Sequence, residues 1–195
     1  MTLPDSGIAS PWVTRFAGSI PPGPVLDMAC GNGRHARLLA AAGHAVLAVD
    51  RDPAALATVA ARATQQRHAI KTLCIDLEHG DPAIARLLQP AAFAGIVVTN
   101  YLHRPLLSAL FPSLVDGGVL IYETFAAGNA VFGKPSNPAF LLQPGELLAA
   151  CAAAPCAMHV LAFEDGYSAV PRSAILQRIC AFRGRGFKDI SALHL

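Results

Sequence analysis

A glycine-bearing turn, Asp27-Met28-Ala29-Cys30-Gly31-Asn32-Gly33, separates a short apolar run from the start of a helical stretch. Glycines in such a turn let the backbone pass close to a ligand, and the amides that open a helix favour carboxylate and other anionic groups. A second apolar run ends at Asp50, seventeen positions beyond Gly33. In a doubly wound sheet an acid at that place can accept hydrogen bonds from ribose hydroxyls. Gly-x-Gly alone is a weak signal. Strand, glycine turn, helix, strand and terminal acid together point to a ligand that carries a nucleoside.

Two cofactors suit this arrangement. Gly31 to Ala36 (GNGRHA) formally fits the dinucleotide pattern G-x-G-x-x-G/A, so a nicotinamide-dependent oxidoreductase is the competing reading. Asp27 argues against it, because a carboxylate there would face the phosphates of a dinucleotide. The same carboxylate suits S-adenosylmethionine, which carries an ammonium and a sulfonium, has no phosphate, and still offers a ribose to Asp50. The plainer alternatives are a helix-capping or loop-bonding Asp27 and a surface-capping Asp50.

The elements that must hold these groups alternate along the chain. Strands are expected from Pro24 to Met28, His44 to Asp50, Ile70 to Asp76, Phe93 to Thr99 and Val119 to Phe125. Helices are expected from Arg34 to Ala42, Pro53 to Gln66 (with Asp52 as N-cap), Pro82 to Leu88 and about Pro105 to Leu114. This alternation predicts a Rossmann-like, doubly wound α/β fold with a mostly parallel sheet. The Gly-, Pro- and Asn-rich stretch 126–144 is too long for an ordinary connection and reads as a substrate-side loop. A helix from Gly145 to Ala153 and strands from Met158 to Glu164 and Ser173 to Phe182 follow, joined through Asp165-Gly166, with the tail from Arg183 frayed. Neither a repeat nor a linker interrupts residues 1–195, so a single domain is expected, with 1–20 as an N-terminal arm or lid.

At this point the sequence resembles the class I S-adenosylmethionine-dependent methyltransferases. VLDMACGNGRHARLLA is similar to their first motif, AVDRDPAAL to the second and CIDLEHG to the third, and IVVTNYLHRPLL and DGGVLIYETF to the segments around the fourth and fifth strands. The resemblance implies a seven-stranded sheet with an antiparallel last strand. It also implies that Asp27, Cys30, Gly31 and Gly33 line the methionine part of the cofactor, that Asp50 holds the ribose, and that Arg51, Asp76 and Leu77 meet the adenine. Asn100 and Tyr101 would stand beside the transferred methyl. The later segment GNAVFGKPSNPAFLLQPGEL looks similar to small bacterial methyltransferases, including the tellurite-resistance type.

Methyl transfer is an in-line displacement, in which positioning dominates and a base is needed only for a protonated acceptor. Tyr101, His103 and Glu123 are the catalytic candidates. His103 follows the fourth strand at the ligand-binding edge, and capping or packing on the next helix is its equal alternative. Glu123 lies in a buried run, so it either belongs to the site or is paired with an arginine. Arg104 precedes Pro105, is expected to be extended, and reads as solvated or as an anion clamp. Asn129, Lys134 and Asn137 lie in the loop that would cover the acceptor, with a surface role as the default for Lys134. Trp12, Arg15 and Phe16 are lid or core, and Arg34 and His35 either touch the cofactor or face solvent. The Asn/Asp-Pro-Pro-Tyr motif of adenine and amide N-methyltransferases is absent after the fourth strand.

Composition sets the outer bounds. With 53% hydrophobic and 14% charged residues the chain is no disordered segment. A formal net charge of +2 neither points to nucleic acid as partner nor excludes it, and Arg172, Arg178, Arg183, Arg185 and Lys188 are the one cluster that keeps RNA open. The apolar stretch from Leu147 to Phe163 contains Pro155 and His159 and falls short of a membrane span, and the N-terminus does not read as a signal peptide. Five scattered cysteines without a CxxC read as buried thiols in a cytoplasmic protein rather than as disulfides or a metal site. The expected enzyme methylates a small molecule. A non-catalytic protein that keeps the fold and the cofactor is the reading from another class.

Overall fold

The computed structural model describes residues 7–184. Seven strands form one sheet in the order β3-β2-β1-β4-β5-β7-β6. They are β1 (Pro24–Met28), β2 (Ala45–Asp50), β3 (Ile70–Cys74), β4 (Phe93–Thr99), β5 (Leu114–Phe125), β6 (Met158–Ser168) and β7 (Ala174–Arg183). β1 to β5 are mutually parallel, and β7 inserts antiparallel between β5 and β6. The expected doubly wound sheet with one reversed strand is therefore present. All seven residues of β4 are buried, as befits a central strand covered on both faces.

Period-two alternation divides the core between those faces. Leu26, Met28, Ile96 and Val98 pack with α4 (Pro82–Leu87), α5 (Arg104–Ser113) and α6 (Glu146–Ala152). Val25, Ala48 and Val97 pack with α1 (Pro11–Phe16), α2 (Arg34–Ala41) and α3 (Pro53–Gln66). Each fully buried Phe or Leu in these layers contributes about 1.5–3 kcal/mol. Trp12 and Phe16 belong to the second layer, and the Trp12 indole donates to the Ile179 carbonyl (3.3 Å). The arm is thus core packing in its described part; residues 1–6 lie outside the described residues.

Three local expectations change. The strand that begins at Met158 runs through Asp165 and Gly166 to Ser168, because both residues pair with β7 instead of turning. Arg104 is the first residue of α5 rather than extended chain. Its guanidinium donates to both Glu146 carboxylate oxygens (2.7 and 2.9 Å) and to the carbonyls of Ala139 and Leu141 (2.8 Å each). It therefore fastens the end of loop 126–144 to α6, and its charge is paired with Glu146 while it stays exposed to solvent. The basic cluster loses two of its members to internal partners. Arg178 pairs with Glu123 and Glu164, Arg183 donates to the carbonyls of Pro112 and Leu114, and Arg185 and Lys188 lie outside the described residues. No helix among the described residues is long and apolar enough to cross a membrane.

Candidate functional site

A cleft of about 750 Å³ opens at the carboxyl ends of the parallel strands. It lies where the strand order reverses between β1 and β4, the position at which open α/β sheets bind ligands. Each strand contributes the residues just at or past its end: Ala29 to Gly31 after β1, Asp50 and Arg51 at β2, Ile75 to Glu78 after β3, Thr99 to Leu102 at β4, and Thr124 and Phe125 of β5. The loop adds Lys134 to Asn137 and Phe140, and Asn32 and Arg34 at the start of α2 complete the wall. Of the expected cofactor residues, the cleft gathers Cys30, Gly31, Asp50, Arg51, Asp76, Leu77, Asn100 and Tyr101.

Asp50 is held by its own neighbourhood. One carboxylate oxygen accepts the Gly31 amide (2.8 Å) and the other the Asp52 amide (3.0 Å). Each oxygen keeps acceptor capacity for a ligand hydroxyl. Asp76 accepts the Glu78 amide (2.9 Å) and pairs with the His79 ring (2.8 Å). The amide bond first, and then the histidine, hold its carboxyl below the ordinary range. Arg51 approaches Glu78 at 4.0 Å. Gly31 is left-handed (φ +52), and a Cβ there would meet nothing within 4 Å, so its backbone is open to the cleft. Ala29 and Asn100 are also left-handed (φ 53 and 54), a strained state for residues with a Cβ that clusters at functional sites.

Asp27 and Gly33 take other roles. Asp27 shares the alternation of Val25 and so faces α2 rather than the cleft; it is 1% exposed. Its Oδ2 accepts the Ala36 amide at 2.8 Å. α2 opens on Gly33, which has no side chain to cap with, and Asp27 supplies the missing acceptor from the preceding strand. Burial pushes its carboxyl up to about 7, against the lowering effect of that bond and of Arg34. Gly33 is left-handed (φ +68), and a Cβ on it would stand 2.7 Å from Val59 Cγ2. It is a glycine so that the turn can lie against α3.

Two catalytic candidates are likewise removed from the cleft. Glu123 is 6% exposed and receives Arg178 Nε at 2.5 Å. Arg178 is its cross-strand partner in the β5–β7 register and also faces Glu164 across β6 (2.9 Å). The buried acid has its arginine, the alternative that the sequence left open. His103 is the N-cap residue of α5, makes no capping bond with its ring and does not line the cleft. Tyr101 does line it. Its phenol is pushed well up by burial and by Glu78 and Asp76, so it is no base at neutral pH. His35 is buried, accepting the Ser10 amide on Nε2 (3.1 Å) with Nδ1 toward Thr99 Oγ1 (3.3 Å), and so ties the arm to β4. Asn129 binds the Pro135 carbonyl and the Ile175 amide, folding the loop on itself.

The sequence reading passed over Ala29, Glu78, Thr124, Phe125, Ser136 and Phe140 on the cleft wall. The rule that strand carboxyl ends carry ligands would have found Thr124 and Phe125. Nothing in the residue types marks Ala29. Among the described residues no group of His, Cys, Asp and Glu could hold a metal ion.

The structure fits an adenosine-bearing cofactor along the carboxyl ends of β1 to β4. The Tyr101 hydroxyl is buried there without a hydrogen-bond partner, although Glu78, Asp76, Arg51 and Asp50 are near enough to act on it electrostatically. A buried orphan hydroxyl on a cleft wall is a donor awaiting a ligand acceptor.

The family model for a methyltransferase domain matches residues 25–116. No curated protein matches the chain in sequence. Among solved structures, TehB from Haemophilus influenzae is similar in fold, with 18% identity, TM-score 0.74 and 90% of this chain covered; the chain spans 63% of that protein. A putative S-adenosylmethionine-dependent methyltransferase from Listeria monocytogenes is 14% identical (TM-score 0.62; 89% and 99% covered). Geranyl diphosphate C-methyltransferase from Streptomyces coelicolor, solved with Mg2+, geranyl diphosphate and S-adenosyl-L-homocysteine, is 18% identical (TM-score 0.60; 84% and 72% covered). Residues 25–116 thus match the model of a methyltransferase domain, and the seven-stranded fold built around them is similar to that of S-adenosylmethionine-dependent methyltransferases of known structure.

Proposed function

We propose that the chain transfers a methyl group from S-adenosylmethionine to a small molecule. The observation that carries this reading is the two-ended cleft. Acids held by backbone amides, Asp50 and Asp76, stand at the β2–β3 end, and the loop wall of Lys134, Asn137 and Phe140 stands at the other. When bound, the cofactor supplies an activated methyl on a sulfonium. Asp50 accepts from the ribose, Asp76 and Leu77 meet the adenine, and the open backbone of Gly31 admits the methionine part. Tyr101 donates its orphan hydroxyl to the cofactor, and Asn100 flanks the methyl. Loop 126–144, fastened by Arg104 to Glu146 and by Asn129 to Ile175, orients the acceptor and keeps water out. Enclosure by this loop favours a small acceptor over a macromolecule.

Calorimetric titration with S-adenosylmethionine, S-adenosylhomocysteine and NADH tests the reading. Micromolar binding of the first two and silence with NADH are expected. Binding of NADH alone would move the chain to the nicotinamide oxidoreductases.

A further inference from the structure

The acceptor end of the cleft has a one-sided charge. Lys134 is the only charged residue in the whole stretch 126–144. It lines the cleft and forms no ion pair with a described residue. Behind it, Arg172 donates to the Lys134 carbonyl (3.4 Å) and lies 5.3 Å from the Phe125 ring centroid. Phe125 and Phe140 add the apolar surface.

At the acceptor end of the described wall, formed by Thr124, Phe125, Lys134 to Asn137 and Phe140, no acid, histidine or cysteine stands. Asp50 and Asp76 belong to the cofactor end and accept backbone amides, and Glu78 faces Arg51. Burial keeps the protons on the Cys30 thiol and the Tyr101 phenol. Glu123 is consumed by Arg178, and His103 stands off the wall.

Resting on the methyltransferase reading, we infer that the acceptor is a small anion with an apolar body, already ionised at its attacking atom when it enters, and that Lys134 receives its charge. A thiolate, phenolate or carboxylate meets this description. The acceptor's own lone pair forms the bond to the methyl carbon as the carbon–sulfur bond opens. The electron pair stays on sulfur, and no proton has to leave. The acceptor gives up its negative charge in the step, so the methylated product loses its attraction to Lys134 and departs more readily than the substrate.

The test uses the full chain with thiophenols of graded acidity as ionised acceptors and anilines of the same ring as neutral ones. In calorimetry with S-adenosylhomocysteine present, thiophenolates should bind at least tenfold more tightly than the anilines. Lys134→Met should remove that preference, Lys134→Arg should restore it, and cofactor affinity should be unchanged in both variants. In turnover with S-adenosylmethionine, the inflection of the pH–rate profile should move with the acidity of the thiophenol. Equal binding of neutral rings, no effect of Lys134→Met, an inflection fixed across the series, or binding of neither probe while the cofactor binds would each overturn the inference. Silence with S-adenosylmethionine itself would instead overturn the methyltransferase reading, and this inference with it.

Discussion

The two ends of the sheet use polar side chains in opposite ways. At β1 to β3, Asp50 and Asp76 lie on the cleft and are oriented by backbone amides, which leaves lone pairs for a ligand. At β5 to β7, Glu123, Arg178 and Glu164 form a row across three strands, each satisfied by the next. Gln177 is also consumed there, accepting the Leu147 amide (2.7 Å) and donating to Gln143 and Asp165. The first region presents its charges and the second spends them. The same residue type, an acid near a strand end, lines the cleft in one region and is a structural member in the other, and the neighbouring strand decides which.

The sharpest way to break this contrast is to remove Arg178. Arg178→Met leaves the Glu123 carboxylate buried and unpaired, and should cost about 3–5 kcal/mol in denaturant unfolding. Adding Glu123→Gln should recover most of that loss, because the desolvated charge is then gone. Cofactor affinity in the folded double variant should equal that of the parent. If Glu123→Gln alone instead abolished turnover in a fully stable protein, the acid would belong to the chemistry after all.

Gly31 and Gly33 divide along the same line. Gly33→Ala forces a Cβ into Val59 at a left-handed position, which should cost about 2–4 kcal/mol of stability, partly returned by Val59→Ala. Gly31→Ala carries only the backbone strain, about 1–2 kcal/mol. Its added methyl stands in the cleft, so its larger effect should be on S-adenosylmethionine affinity in calorimetry.

Asp50→Ala should weaken S-adenosylmethionine binding by about 1–3 kcal/mol, the scale of hydrogen bonds to a charged group. Tyr101→Phe should weaken it by about 1 kcal/mol while leaving the melting temperature equal or higher, since a buried orphan hydroxyl is removed. An unchanged affinity in either variant would detach that residue from the cofactor.

The order and type of the elements were legible because apolar runs, proline-started helices and the Asp52 cap are local signals. The cleft acids were legible because a strand end fixes where a residue sits. Partners were not, since they depend on which strands become neighbours. β7 returns beside β5 from over fifty residues away, and only that register makes Arg178 the partner of Glu123. Asp27 failed differently. Its position at the strand end was right, but alternation turned its side chain toward α2. Arg104 failed because a residue before proline can still open a helix when its side chain has four acceptors to bind.

Asp27 gives the finest discrimination between the two uses of an acid. Burial raises its carboxyl from 3.8 to about 7 in the folded chain. Between those values the folded state binds a proton that the unfolded state has released, so stability falls as pH rises from about 4 to about 7 and is level above. Asp27→Asn keeps an oxygen for the Ala36 amide and removes the titration. Its unfolding free energy should lose that decline, and the variant should equal or exceed the parent at pH 8, as melts across pH 4.5 to 8 would report. S-adenosylmethionine affinity should be the same in both proteins, because the carboxylate faces α2 and not the cleft. If Asp27→Asn weakened cofactor binding tenfold or more while the pH slope persisted, the carboxylate would be acting on the ligand's ammonium, and β1 would present its charge as β2 and β3 do.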